Sequence, residues 1–294
     1  MIGLTSLKRL LLATATLGFV AHAAAAEPAL TLDVYNPGAA AIFPVSSVLV
    51  SGKKEAILVD AQFGKSQAEQ LVQKIRASGK QLTTIYISHG DPDYYFGLDT
   101  LTQAFPKAKV VATQPTVDHI KATVAGKVAF WGPKMEADAP AKTLVPSVLE
   151  GHNLTLEGQK LEIIGLDGKQ PDRTFVWIPS IKAVVGGVVV AENIHVWMAD
   201  TQTAQSHQDW LATLSTLEGL KPKTLIPGHY LGESKRSLAA VQFTADYIKA
   251  FDEETAKAKN SAELIAAMKK RYPDLGEESS LELSAKVAKG EMQW

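Results

Sequence analysis

The chain has 294 residues, 46% of them apolar and 21% charged, with 30 basic against 31 acidic side chains. This length and apolar content suit one large or two small globular domains with a sizeable core. The near-neutral charge gives no reason to expect nucleic acid or an anionic membrane as partner, and the absence of cysteine excludes disulfides, thiol catalysis and cysteine-ligated zinc.

Lys8 and Arg9, the apolar run Leu10 to Val20 and the small residues Ala21 and Ala23 to Ala26 read as a secretory signal, cut after Ala26 or alternatively after Ala23. A membrane anchor is the competing reading, but the apolar run is short of the roughly 20 residues a span needs. Cleavage predicts a periplasmic chain with no membrane attachment. It removes Lys8, Arg9 and no acidic residue, leaving 28 basic against 31 acidic groups, a net of −3. Six histidines stay: His89, His119, His152, His195, His207 and His229.

Val45 to Val50 and Ala56 to Val59 predict two strands around the turn 51–54, with Asp60 ending the second. Ser51 and Lys54 fit a Ser-x-x-Lys pattern, but a hairpin turn is the wrong setting for that nucleophile. Ser66 and Glu69 predict a capping box, and Ala68, Leu71, Val72 and Ile75 follow at helical spacing. The β-branched run 83–87 predicts a strand that delivers His89, Asp91 and Asp93, after which Leu98 and Leu101 begin a helical pattern. One imidazole and two carboxylates alternating at a strand end have the local geometry of a metal site.

Lys109 to Ala112 predicts a strand and Thr116 to Ala125 a helix. Prolines 133, 140 and 146 are expected to break any long element over 126–157. Strands follow near 158–166, 174–178 and 183–190. Ser206, with Asp209 three residues on, is expected to cap a helix whose buried stripe is Trp210, Leu211, Leu214 and Leu217. Thr224 to Ile226 predicts a strand ending in Pro227-Gly228-His229. The chain from about 234 is helical, broken at Tyr272-Pro273. Of the other histidines, His195 reads as a packing residue and His207 as a solvated one. His119 and His152 have no evident partner. Trp131, Tyr94, Tyr95 and Phe96 are candidates to line a pocket.

These stretches together resemble the metallo-β-lactamase superfamily. Leu58-Val59-Asp60 resembles its early strand ending in aspartate. Ser88-His89-Gly90-Asp91-Pro92-Asp93-Tyr94 resembles its His-x-His-x-Asp-His motif, with His89 at the first histidine, Asp93 at the aspartate, Asp91 at the second histidine and Tyr94 at the last. Asp167 to Asp172 resembles the Pro-Gly-His-Thr-Pro-Gly turn, with Lys169 at the histidine. Val184-Val185-Gly186-Gly187 resembles the strand ending in Gly-Asp, with Gly187 at the aspartate. His229 resembles the final histidine.

The resemblance implies an αββα four-layer sandwich, with a signal over 1–26, the sandwich over 27–232 and a helical extension over 233–294 packed on it. Leu264, Ile265 and Met268 of that extension would pad the sandwich or form a dimer face. It also implies a periplasmic metal-dependent hydrolase acting on a small ester, lactone, amide or phosphodiester. One divalent ion (zinc, or else manganese or iron) would sit on His89, Asp91, Asp93 and His229. Asp93 would orient the metal-bound water, Tyr94 would steady an oxyanion and Lys169 would hold an anionic substrate group. Lys169 and Gly187 motivate the alternative: a non-catalytic binding protein in which Lys169 pairs with Asp91 or Asp93 and the cleft holds a small polar ligand or a partner protein.

Overall fold

The computed structural model describes residues 29–294. The signal segment lies outside the described residues. Among those described, no helix is long and apolar enough to cross a membrane.

The chain runs β1 (Thr31–Tyr35), β2 (Ser47–Ser51), β3 (Glu55–Val59), α1 (Lys65–Ala77), β4 (Gln81–Ile87), α2 (Pro92–Tyr95), α3 (Leu98–Ala104), β5 (Lys109–Ala112), α4 (Gln114–Met135) and β6 (Ser147–Val148). It continues with β7 (Asn153–Leu156), β8 (Gln159–Ile164), β9 (Phe175–Ile178), β10 (Ala183–Val185), β11 (Ala191–Glu192), α5 (Ala204–Gly219), β12 (Thr224–Leu225) and β13 (His229–Tyr230). Three helices follow: α6 (Ala239–Lys257), α7 (Ser261–Arg271) and α8 (Glu278–Ala288).

Strands β1 to β6 form one sheet in chain order, antiparallel as far as β3 and parallel from β3 onward. A second sheet has the order β12-β10-β9-β8-β7, and a short parallel pair joins β11 to β13. The two-residue side-chain period of a strand explains how these sheets stack. Val48, Val50, Ile57 and Val59 point inward and meet Leu161, Ile163, Val176 and Val185 of the second sheet. Leu49, Leu58, Ile85 and Ile87 point outward and are covered by Leu71, Ile75, Leu101 and Ile120 of the first helical layer. Phe175, Trp177 and Val184 point out of the second sheet onto Trp210, Leu214, Tyr247 and Phe251. Four layers result, helix-sheet-sheet-helix, as the sequence implies. Leu264 and Met268 are fully buried in the last layer, so α7 packs against the fold.

Several local expectations are corrected. Helix α1 starts after Gly64 without a side-chain cap of its own. Asp138, 72 residues away, accepts from the Ser66 N–H at 2.6 Å and from the Ser66 hydroxyl at 3.1 Å. Helix α5 is capped by Thr203, and Ser206 is the third-position partner of that capping box. His207 is buried rather than solvated, its ring nitrogens 2.6 Å from Asp252 Oδ1 and 2.6 Å from the Thr201 carbonyl. Helix α4 does not stop near residue 125. It spans 22 residues and carries Pro133 in its last turn, where the missing N–H removes one intrahelical bond without interrupting the turns before it.

Candidate functional site

The loops leaving β3, β4, β10 and β12 converge on one edge of the sandwich. Asp60, just past β3, is fully buried and accepts from the Ser88 N–H at 2.8 Å. The Ser88 hydroxyl lies 2.8 Å and 2.7 Å from the two Asp60 oxygens and accepts from the Gly187 N–H at 2.8 Å. Burial pushes the Asp60 carboxyl up to about 7, with the Ser88 hydrogen bonds opposing the shift. Ser88 thus ties together the ends of three strands and fixes the start of the loop that follows.

Beyond Ser88 the expected ligands separate into two pairs. His89 Nε2 is 3.0 Å from Asp91 Oδ2, and His89 Nδ1 is 3.2 Å from the Asp172 carbonyl. Both ring nitrogens therefore face oxygen acceptors, the arrangement of a doubly protonated imidazole. Burial opposes the charged ring, but the Asp91 carboxylate outweighs it and the His89 pKa is raised. Across the site His229 Nε2 is 2.6 Å from Asp93 Oδ2, and Nδ1 is 3.3 Å from the Tyr94 hydroxyl. Burial first and Asp93 second hold the Tyr94 pKa well above its ordinary value, so the phenol keeps its proton.

Tyr94 stands between the pairs. Its ring centroid is 5.3 Å from that of His89 and 5.6 Å from that of His229, edge-on to both. The two imidazoles are held apart by a fully buried phenol, and all four of their ring nitrogens already face partners within the protein.

Gly187 stands where the resemblance expects a metal-bridging carboxylate. Its φ is +84°, and a Cβ there would lie 2.2 Å from the Thr174 carbonyl oxygen. Any side chain at this position collides with backbone. Among the described residues no group of three or more His, Cys, Asp or Glu side chains could hold a metal ion. The residues do not fit the metal. The expectations of a bound zinc, manganese or iron ion and of a metal-dependent hydrolase are overturned. With them fall a metal-bound water for Asp93 to orient and an ion on His89, Asp91, Asp93 and His229.

The cations beside these carboxylates are not the expected one. Lys169 is exposed and makes no ion pair among the described residues. Instead Lys127 Nζ of α4 lies 3.4 Å from Asp91 Oδ1 and 4.0 Å from Asp200 Oδ1. Trp294 covers that ammonium at 4.4 Å and donates from Nε1 to Asp200 Oδ1 at 2.7 Å. His119, also on α4, lies 3.9 Å from Asp91 Oδ1, with its ring 6.1 Å from that of His89. Gly90 admits it, since a Cβ there would sit 2.5 Å from His119 Cδ2. Arg173 is 5% exposed and its guanidinium lies 4.4 Å over the Trp210 ring.

Two cavities meet at Asp91, Lys127 and Trp294. One is a narrow slot of about 50 Å³ walled by Phe43, Trp131, Trp197 and Trp294, with Asp93 and His229 at one side. Trp131 thus reaches a cavity, whereas Tyr95 and Phe96 are core. The other is a polar cavity of about 370 Å³ bordered by His89, His119, Gln170, Asp172 and Arg173. Ten buried side-chain atoms among the described residues lack a hydrogen-bond partner, and five of them belong to residues lining this polar cavity. They are Asp91 Oδ1, His119 Nε2, Gln170 Oε1, Arg173 Nε and Arg173 Nη2. Lys127, His119 and Arg173 are the residues that sequence reasoning missed. The first two carried a signal, since His119, Thr123, Lys127 and Trp131 recur every fourth residue along one helix face.

A family model described as the metallo-beta-lactamase superfamily matches residues 41–229. The chain belongs to that superfamily. A metallo-beta-lactamase family protein from Thermus thermophilus superposes with a TM-score of 0.62 at 16% identity, over 88% of this chain and 91% of that one. A metallo-beta-lactamase from Pontibacter korlensis gives 0.53 at 20% identity, over 75% and 93%. These likenesses establish the fold alone. An uncharacterized Bacillus subtilis (strain 168) protein, YobT, is 38% identical over 74 residues, which is 25% of this chain and 31% of that relative.

Proposed function

We propose that this metallo-β-lactamase-fold chain is a non-catalytic binding protein that holds a small polar molecule in the cleft at the sandwich edge. The observation that carries the proposal is the polar cavity of about 370 Å³ bordered by His89, Asp91, His119, Gln170, Asp172 and Arg173. Its walls offer hydrogen-bonding side chains of both kinds, donors and acceptors, to a small polar molecule. The pairing of His89 with Asp91 and of His229 with Asp93 supports the same reading, because each pair is closed within the protein.

The leader over 1–26 supports work in the periplasm on a diffusible small molecule. The balanced charge supports neither nucleic acid nor an anionic membrane as partner. Metal titration of protein purified without chelator tests the reading. Addition of zinc, manganese or iron is expected to leave the melting temperature unchanged and to show no stoichiometric heat. Tight one-to-one uptake of any of these ions overturns it.

A further inference from the structure

The near balance of charge over the whole chain does not hold edge by edge. Strands β3 and β4 are parallel neighbours, as are β10 and β12, and their far ends deliver the cleft. Their starts form the opposite edge of the sandwich, and lysines crowd them. Lys53 and Lys54 precede β3, Lys80 precedes β4, Lys182 precedes β10, and Lys221 and Lys223 precede β12. Lys107 before β5 and Lys160 in β8 flank the group. All are exposed except Lys80, which is half-buried. Lys74 nearby is paired with Asp33 at 2.6 Å, but these lysines have no ion pair among the described residues.

The two sheets are tied together at this edge. Glu157 of the β7–β8 turn accepts from the N–H groups of Lys53, Lys54 and Glu55 at 2.7, 2.5 and 2.8 Å, so its carboxylate is committed to the turn. The Lys182 carbonyl accepts from the Lys223 N–H at 2.7 Å. Helices α1 and α5 end at the same edge, and the negative ends of their dipoles offset part of the repulsion among the lysines.

The chemistry of the edge selects its partner. Its charges are lysines, compact point charges without the planar fork by which arginine grips a single phosphate. No exposed aromatic ring among the described residues stands in these turns for a base to stack on. The chain also enters the fold here. Thr31 of β1 pairs with Ser51, so the leader joins the domain beside Lys53, and its removal at the bilayer would release the chain with this edge toward the lipid.

We propose that the edge opposite the cleft docks on an anionic phospholipid surface. The contact is electrostatic and reversible, needs no spanning helix, and keeps the cleft turned toward water. It depends on local charge, which the overall balance conceals, and not on what the cleft holds.

The test is co-sedimentation of the processed chain with phosphatidylcholine vesicles, with and without phosphatidylglycerol. Binding is expected on the anionic vesicles alone, and about tenfold or more weaker on raising NaCl from roughly 50 to 500 mM, because salt screens each lysine. Lys53→Gln, Lys182→Gln, Lys221→Gln and Lys223→Gln combined are expected to lower the affinity at least about tenfold with no change in melting temperature. The same exchange at Lys65, Lys142, Lys249 and Lys257, which are exposed elsewhere, is expected to lower it by less than about threefold. Should the first variant fail to fold, lysine acetylation read by mass spectrometry takes its place. Anionic vesicles are then expected to shield Lys53, Lys182, Lys221 and Lys223 but not Lys65 or Lys257. Equal losses from the two variants, or equal shielding of the two sets, would overturn the proposal. So would equal binding to neutral vesicles, or tighter binding to duplex DNA than to anionic vesicles.

Discussion

On one side of the Tyr94 ring, Asp93, His229 and the tyrosine hydroxyl satisfy one another at 2.6 Å and 3.3 Å. On the other, His89 and Asp91 pair at 3.0 Å, and Asp91 Oδ1 makes no hydrogen bond, only an ion pair with Lys127 at 3.4 Å. Atoms of His119, Gln170 and Arg173 around it also make no hydrogen bond. The first side abuts the slot of about 50 Å³ and the second lines the cavity of about 370 Å³. A closed hydrogen-bond set holds a fold together, and an open one is a place for something else to bind. One sheet edge thus carries a structural half and a receptive half.

The strongest challenge to this contrast is Gly187→Asp, which restores the carboxylate that a bimetal site would need. The positive φ and the 2.2 Å approach to the Thr174 carbonyl oppose it. A loss of roughly 3 kcal/mol in urea denaturation is expected, with no gain of metal. A variant as stable as the parent that takes up zinc would erase the distinction between the halves.

A paired deletion sharpens it. His229→Ala leaves the buried Asp93 carboxylate without its donor and is expected to cost about 1.5–3 kcal/mol. His89→Ala leaves Asp91 with Lys127 at 3.4 Å and is expected to cost less, about 1 kcal/mol. Equal losses would mean that both sides are equally closed.

Beneath both halves lies Asp60, and it predicts a pH dependence. Its folded pKa of about 7 exceeds the unfolded value of about 3.9. Between these values the folded state binds the extra proton. This contribution to stability is therefore full below about pH 4 and is lost as pH rises through about 7. Asp60→Asn should flatten the slope of stability against pH across that window. An unchanged slope would show that burial does not hold the proton on Asp60. The smallest effect belongs to Lys169→Met. Its side chain is exposed, so stability should move by no more than about 0.5 kcal/mol. A larger drop would place Lys169, not Lys127, beside the carboxylates.

Much of the fold was legible because it rests on local pattern. The outward and inward alternation through β2, β3 and β4 and the apolar stripe of α1 are periodicities of neighbouring residues. Residues 89, 91, 93, 94 and 229 do gather at one edge, as the resemblance implies. Their chemistry was not legible, because it depends on partners far along the chain. Lys127 reaches Asp91 across 36 residues, and Asp138 replaces the expected cap of α1 across 72. Pro133 also hid the true length of α4, since a proline in a last turn looks in sequence like one that ends a helix early. Arg173 carried a fainter mark: a charged residue just before the apolar run of β9, where a buried cation is unusual.

Helix α4 places His119, Thr123 and Lys127 against the polar cavity and Lys127 and Trp131 against the slot, all along one stripe. What the cleft accepts is therefore adjustable at four positions on a single rod. Under the binding reading, a combinatorial library at 119, 123, 127 and 131 would vary what the cleft accepts from one helix alone.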